Sequence, residues 1–436
     1  MMRECCLFVL ALLIGAQLSG CAAGSGGIPR QNTMEDKTQT IQYVSSMLDY
    51  QGSAKIIGEL AEEYGRAHPD VRYEFENVNT TDLLQKIQLL AASNDLPELF
   101  SFESGKPLEV LADNGFVLDI EQAFKELGLY EKLNPAAVKL LKSMVGGKGL
   151  YALPLEMNIE GFWYNKALFA EYGLGEPRTW DEMLEAAALF KENGIQPFSV
   201  AGTVKWPITR LINGYVIRLY GYDVMQRVAS GELQVTDPGF VEAASVVQRM
   251  GLNGYLGDDV NTTDLNTAAS LFLQGKAAMY YSGSWSLRDF NDPSQNKIGA
   301  DQIGFFNIPL VEGGAGTLDD WLMNAGLTTS FSADAYNDNM KDWMKHVFSN
   351  YGDKAMNEMG FLTGFQVDRL PASMPPLTQM VQEKIGGVKN GVLWFEALFT
   401  PAAQKTAWDN AQLLVANRDY TPEMYMKELH EALTQE

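Results

Sequence analysis

The chain reads as an α/β fold in two portions, on three observations. Near its start, strand-period and helix-period segments alternate as strand, helix, strand, helix, strand. From about residue 158 a second alternation of the same kind begins. And 436 residues exceed what a single hydrophobic core ordinarily serves, so two domains of usual size are expected.

The first portion opens at Ile41-Gln42-Tyr43-Val44, a β-rich run. Ser53 is expected to cap a helix whose apolar positions Ile56, Ile57, Leu60 and Tyr64 keep helical spacing, and His68-Pro69-Asp70 ends it. Val71, Tyr73 and Phe75 alternate with Arg72, Glu74 and Glu76, the pattern of a half-buried strand. Asp82 and Gln85 suggest a capping box for a helix from Leu83 to Ala92. Asn94 to Pro97 then turns the chain into Leu99-Phe100-Ser101-Phe102, completing a βαβ unit and predicting a mostly parallel sheet.

In the second portion, Gly161 to Tyr164 reads as a strand, and Thr179 with Glu182 as a capping box. The helix so started carries Met183, Leu184, Ala187 and Ala188 inward and stops at Asn193-Gly194. Pro197 to Val200 is a strand, Asp237-Pro238 opens a helix to Met250, and Ala277 to Tyr281 is a strand running into Ser282-Gly283-Ser284-Trp285. Beyond about residue 335 the pattern is mainly helical.

Residues 5–16 are apolar without interruption behind Arg3 and Glu4. The run is shorter than the ~20 residues a bilayer crossing takes, and it fits the ~7–15-residue core of a secretory signal. Leu18-Ser19-Gly20-Cys21 resembles the lipobox of bacterial lipoproteins, which implies a signal peptide over 1–20 and a lipid on Cys21. Residues 21–39 are small or polar and read as a flexible tether. The other cysteines, Cys5 and Cys6, fall within the signal, which leaves no disulfide and no catalytic thiol. The net charge of −22 opposes contact with nucleic acid. The expectation is an extracytoplasmic monomer, lipid-anchored to the cell membrane, with no cofactor and no metal.

In open α/β sheets ligands sit beyond the carboxyl ends of strands. Two such ends carry unusual side chains here: Phe102-Glu103-Ser104-Gly105 and Ser282-Gly283-Ser284-Trp285. Of eight tryptophans, Trp180, Trp343 and Trp408 lie in helical patterns and Trp163 in an apolar strand, where packing explains them. Trp206 before Pro207, Trp321 after a Gly-rich loop, Trp394 after Asn390-Gly391, and Trp285 are the candidate exposed rings. Several aromatic faces with carboxylates and amides nearby match a pyranose, whose C–H face the rings cover while polar groups take the hydroxyls. Catalytic signals are weak: His68, His346 and His430 have no ligand spacing, and no nucleophile elbow, zinc motif or P-loop occurs. A carboxylate pair for glycoside hydrolysis, as in a secreted glycosidase or lyase, is the alternative from another class. A binding protein for a non-sugar solute is the alternative within the class.

Several stretches in order are similar to the family 1 solute-binding proteins of carbohydrate ABC importers, which include the maltodextrin-binding proteins. They are Leu153-Pro154-Leu155, Trp163 to Phe169, Pro177 to Glu182, Phe272 to Met279, Ser282 to Trp285 and Ile303 to Pro309. The resemblance implies a two-lobed periplasmic-binding-protein-like fold with hinge-linked lobes and a ligand cleft between them. The lobes would comprise 40–157 with 318–360 and 158–317 with 361–436. It implies a substrate-binding lipoprotein, not an enzyme, that captures a sugar and delivers it to ABC permease subunits. It places sugar contacts at Trp285, Trp394, Glu156, Asn158, Phe102 and Glu103. Where the maltodextrin-binding proteins carry a Trp after the Phe of that strand, this chain has Ser101 before Phe102, a departure that speaks against maltose itself.

Overall fold

A computed structural model describes residues 38–434 apart from 103 and 361; the expected signal, Cys21 and the expected tether up to residue 37 lie outside the described residues, as does Glu103, while Gln39, counted with the tether, already begins the first strand. The first sheet contains β1 (Gln39–Ser45), β2 (Val71–Asn77) and β3 (Leu99–Ser101), and its order is β2-β1-β3-β9, where β9 is Thr329–Phe331. The first three pair in parallel and β9 is antiparallel to β3. Ile56, Ile57, Leu60 and Tyr64 of the Gly52–Ala67 helix are buried, as their spacing predicts. Two helix starts differ from expectation. Gln51, not Ser53, holds the cap position, and Ser53 is buried inside the first turn. The second helix starts at Thr80 behind Asn79, so Asp82 lies within its first turn.

The second sheet is built on β4 (Asn158–Asn165), with β5 (Gln196–Ser199), β6 (Ala277–Gly283), β7 (Ile303–Phe306), β8 (Asp320–Asn324) and β10 (Asn390–Val392). Its order is β10-β8-β4-β6-β5, and β7 also pairs with β4. Both faces of β4 are covered, which is why its side chains are almost all buried. Trp163 joins one core through Phe305 and Phe290, while Phe162 joins another through Phe306 and Phe198. Thr179 and Glu182 form the predicted capping box, and Pro238 opens its helix behind Asp237. The three-residue β10 is too short for alternation to reveal.

Residues 320–324, expected with the first lobe, pair with β4 instead, and the chain returns to the first sheet only at Thr329. Before that return, residues 307–319 leave the sheet between β7 and β8. Arg218, fully buried, anchors this excursion: Nε donates to the Ile308 carbonyl at 2.8 Å, Nη2 to that of Asp320 at 3.0 Å, and Nη1 to that of Thr317.

Three segments cross between the sheets side by side. Leu153 bridges Thr329 and Glu156 N–H donates to Ala325 at 3.2 Å, so the first two run antiparallel. The third joins where Met157 N–H donates to Leu362 and Gly364 N–H to Pro154, both at 2.9 Å. These segments are the place where one sheet can turn relative to the other.

Candidate functional site

Two of the four candidate rings lie against one buried arginine and a third meets one of them edge-on, each delivered by a different segment. Trp206 starts the Trp206–Tyr220 helix, with Pro207 at a position that needs no amide N–H. Trp285 lies in the short Ser284–Ser286 turn after β6, partly buried and part of neither hydrophobic core. Its ring meets Trp206 edge-on, with centroids 5.8 Å apart at 73°. Trp394 follows β10, and the Arg210 guanidinium lies between it and Trp206, at 5.3 and 5.6 Å from the ring centroids. Gly283 has a steric role: a Cβ there would stand 2.1 Å from Trp285 Cζ3, so only glycine lets the ring fold back over the strand end.

Arg210 is held by two carboxylates. Nε donates to Glu160 Oε2 at 3.2 Å and Nη1 donates to Glu396 Oε2. Glu160 also accepts from Tyr281 at 2.9 Å and from Asn324 Nδ2 at 3.0 Å, and Glu396 accepts from Thr209 and from Trp408 Nε1 at 2.8 Å. Burial opposes the guanidinium charge, but Glu396 and Glu160 outweigh it and hold the Arg210 pKa above its ordinary value. Trp408, expected only to pack, therefore also serves this cluster. Sequence reasoning missed Glu160, Arg210 and Glu396. The signal present was a lone charge inside an apolar run, as in Phe395-Glu396-Ala397-Leu398-Phe399.

The network continues into the crossing segments. Asn158, buried, accepts from Ser284 at 2.7 Å and donates to Glu156 Oε2 at 2.8 Å. Glu156 thus stands between the hinge and the turn that bears Trp285. Burial pushes its carboxyl pKa above the ordinary range, and the Asn158 hydrogen bond opposes the shift. A carboxyl raised on folding contributes stability that is full below its unfolded pKa and is lost as pH rises through the folded one. Glu156→Gln, which still accepts from Asn158, should therefore raise the melting temperature at pH 8 by about 1–3 °C. Near pH 4 the difference should shrink, and melting curves at both pH values showing equal differences would overturn this.

Two other candidates lie apart from these rings. Trp321 is only 7% exposed, with its ring against Phe305 and the Lys384 ammonium over it. Phe102 is 1% exposed, and its backbone ties to Thr328 rather than offering the ring to a cleft. The loop that follows β3 nevertheless reaches this region. Gly105, at φ +87°, would place a Cβ 2.1 Å from the carbonyl oxygen of Ala397, three residues past Trp394. Among the described residues no His, Cys, Asp and Glu cluster could hold a metal, and no helix is long and apolar enough to cross a membrane. The arrangement offers aromatic faces, amides and carboxylates, a set suited to holding a polyhydroxylated ring.

A family model described as bacterial extracellular solute-binding protein matches residues 50–353. An uncharacterized ABC transporter extracellular-binding protein of Pyrococcus horikoshii is 24% identical over 296 residues, covering 66% of this chain and 67% of that protein. A multiple sugar-binding protein of Streptococcus mutans is 26% identical over 267 residues, covering 58% of this chain and 59% of that one. Among solved structures, a chitin oligosaccharide binding protein superposes with a TM-score of 0.80 at 23% identity, over 91% of this chain and 98% of that one. That likeness bears on the fold: two lobes, each with its own sheet.

Proposed function

The chain belongs to the bacterial extracellular solute-binding protein family, and from that premise we propose that it captures a sugar, an oligosaccharide, and delivers it to an ABC-type permease. The observation that carries this reading is the continuous aromatic run in which Trp285 meets Trp206 and Arg210 lies against Trp206 and Trp394, with Asn158 and Glu156 joined to the Trp285 turn through Ser284. Rings from separate segments cover separate stretches of a ligand longer than one pyranose. The sugar binds and is released intact. Glu160 and Glu396 are both committed to Arg210, which leaves neither as the free acid or base that glycoside hydrolysis needs. Sugar joining both lobes selects a closed form, and the permease recognises that form. The domains proposed are the two lobes, with the boundary on the return path moved from residue 318 to the stretch between Asn324 and Thr329.

Calorimetric titration with raffinose, stachyose, maltotriose and chitotriose, followed by product analysis, tests the reading. Saturable binding of at least one sugar, recovered unchanged, is expected. Absence of binding across the panel, or cleaved product, would overturn it. A micromolar dissociation constant corresponds to ~8 kcal/mol, which serves a receptor that must also let go.

The membrane part of the proposal rests on Leu18-Ser19-Gly20-Cys21. A diacylglyceryl group on the Cys21 thiol, with a second acyl signal, gives stable anchoring where a single chain does not. Cys21→Ala should shift the protein from the membrane fraction to the soluble fraction with an unchanged melting temperature. Mass spectrometry finding an unmodified Cys21 on membrane-derived protein would refute the anchor. The folded part is proposed to act as a monomer outside the cytoplasm.

A further inference from the structure

Arg210 is 8% exposed, and its guanidinium touches or bonds several separate segments of the second lobe. It leaves the helix one turn after Trp206, meets Glu160 on β4 and Glu396 after β10, and lies against both Trp206 and Trp394. Glu160 in turn binds Tyr281 of β6 and Asn324 of β8. Trp206 packs against one hydrophobic core and Trp394 against the other, so each ring has support on one side, and Arg210 is the side chain that lies against both. Fixing each ring only when a ligand arrives would cost affinity.

We propose that Arg210 is a positioning residue, which fixes the rings of Trp206 and Trp394 at set spacing so that the aromatic wall exists before a sugar arrives. The proposal rests on the sugar-binding reading above for its consequence, but not for its geometry. A guanidinium suits the task because it is flat enough to lie between two rings while its edge donates to two carboxylates. Lysine carries the same charge without the plane. Two glutamates on one arginine also explain why a cation must stand there: without it, two buried carboxylates keep their neutral donors but lose the charge that compensates them.

The test begins with Arg210→Lys, which keeps the charge balance. In ligand-free protein the near-UV circular dichroism of the tryptophans should weaken, and acrylamide should quench their fluorescence more, with the far-UV spectrum unchanged. Affinity for whichever of raffinose, stachyose, maltotriose and chitotriose binds the wild type should fall roughly tenfold to a hundredfold, the cost of ordering two freed side chains. In a Trp206→Ala background the further loss caused by Arg210→Lys should be less than half as large, because one of the rings it positions is gone. A full additive loss would make Arg210 a direct sugar contact and overturn the proposal, as would unchanged near-UV and quenching signals. If no sugar in the panel binds the wild type, the functional reading fails while the ligand-free signals still decide the positioning role. Should Arg210→Lys not fold, Glu396→Gln, which retains an acceptor for Trp408 and Thr209, should move the same signals in the same direction by a smaller amount. Unchanged signals in that variant would overturn the proposal as well.

Discussion

Trp285→Ala is expected to cost sugar affinity roughly thirtyfold and to leave the ligand-free melting temperature within a few degrees of wild type. A central aromatic anchor commonly loses ~2 kcal/mol or more on truncation, and 1.4 kcal/mol is a factor of ten. The structure separates this ring from the cores: it belongs to neither cluster, and its aromatic neighbour is another candidate ring, Trp206. A core tryptophan would instead take ~3–5 kcal/mol of folding stability with it. Titration and melting of this one variant therefore give opposite patterns for the two roles. Intact affinity with a collapsed melting point would remove Trp285 from the site.

Arg218→Leu should be among the most damaging single substitutions in the second lobe. The change removes a guanidinium that three carbonyl oxygens share; Asp320 keeps a donor in Asn307 and Thr317 one in the Asp320 amide, while the Ile308 carbonyl loses the donor it has. Burial lowers the Arg218 pKa to about 10, with Asp320 opposing, so the side chain stays charged at neutral pH. Removing the cation costs about 3–5 kcal/mol because the buried Asp320 carboxylate, 4.0 Å away, loses its compensating charge as Ile308 loses its donor. The Asp320 carboxylate also accepts from Thr317 and from Asn390, so loosening should spread into β10 and toward Trp394. Urea unfolding would measure the loss. A change below about 1 kcal/mol would mean that water or a neighbour replaces the guanidinium.

Much of the fold was legible because local signals and tertiary needs agree. Val71, Tyr73 and Phe75 face inward along β2 as their alternation demands, and Thr179 with Glu182 satisfies helix amides from the sequence alone. Of the proposed site, Trp206, Trp285 and Trp394 are the candidates that flanking Pro, Gly and Asn point to, and the structure brings them near one another. Trp321 has similar neighbours, yet it is buried against Phe305 and under Lys384, which no local pattern foretells. Glu160, Arg210 and Glu396 were illegible for the same reason. Each is a charge whose partner lies far along the chain, 50 residues from Glu160 to Arg210 and 186 from Arg210 to Glu396.

Gly105 works as a clearance. At φ +87° and with the Ala397 carbonyl where its side chain would be, this position tolerates no added atom while the loop after β3 lies against the segment after Trp394. A methyl group there would act as a doorstop. Gly105→Ala would pay ~1–3 kcal/mol of backbone strain, and it would also favour arrangements in which the two segments stand apart. If the closed form fell to about 1% of molecules, apparent affinity would fall about a hundredfold with every sugar contact intact. Small-angle scattering at saturating sugar should then show a larger radius of gyration than wild type, and equal radii would show that the clearance does not govern closure. A receptor held ajar in this way would separate the grip of its aromatic wall from the swing of its lobes.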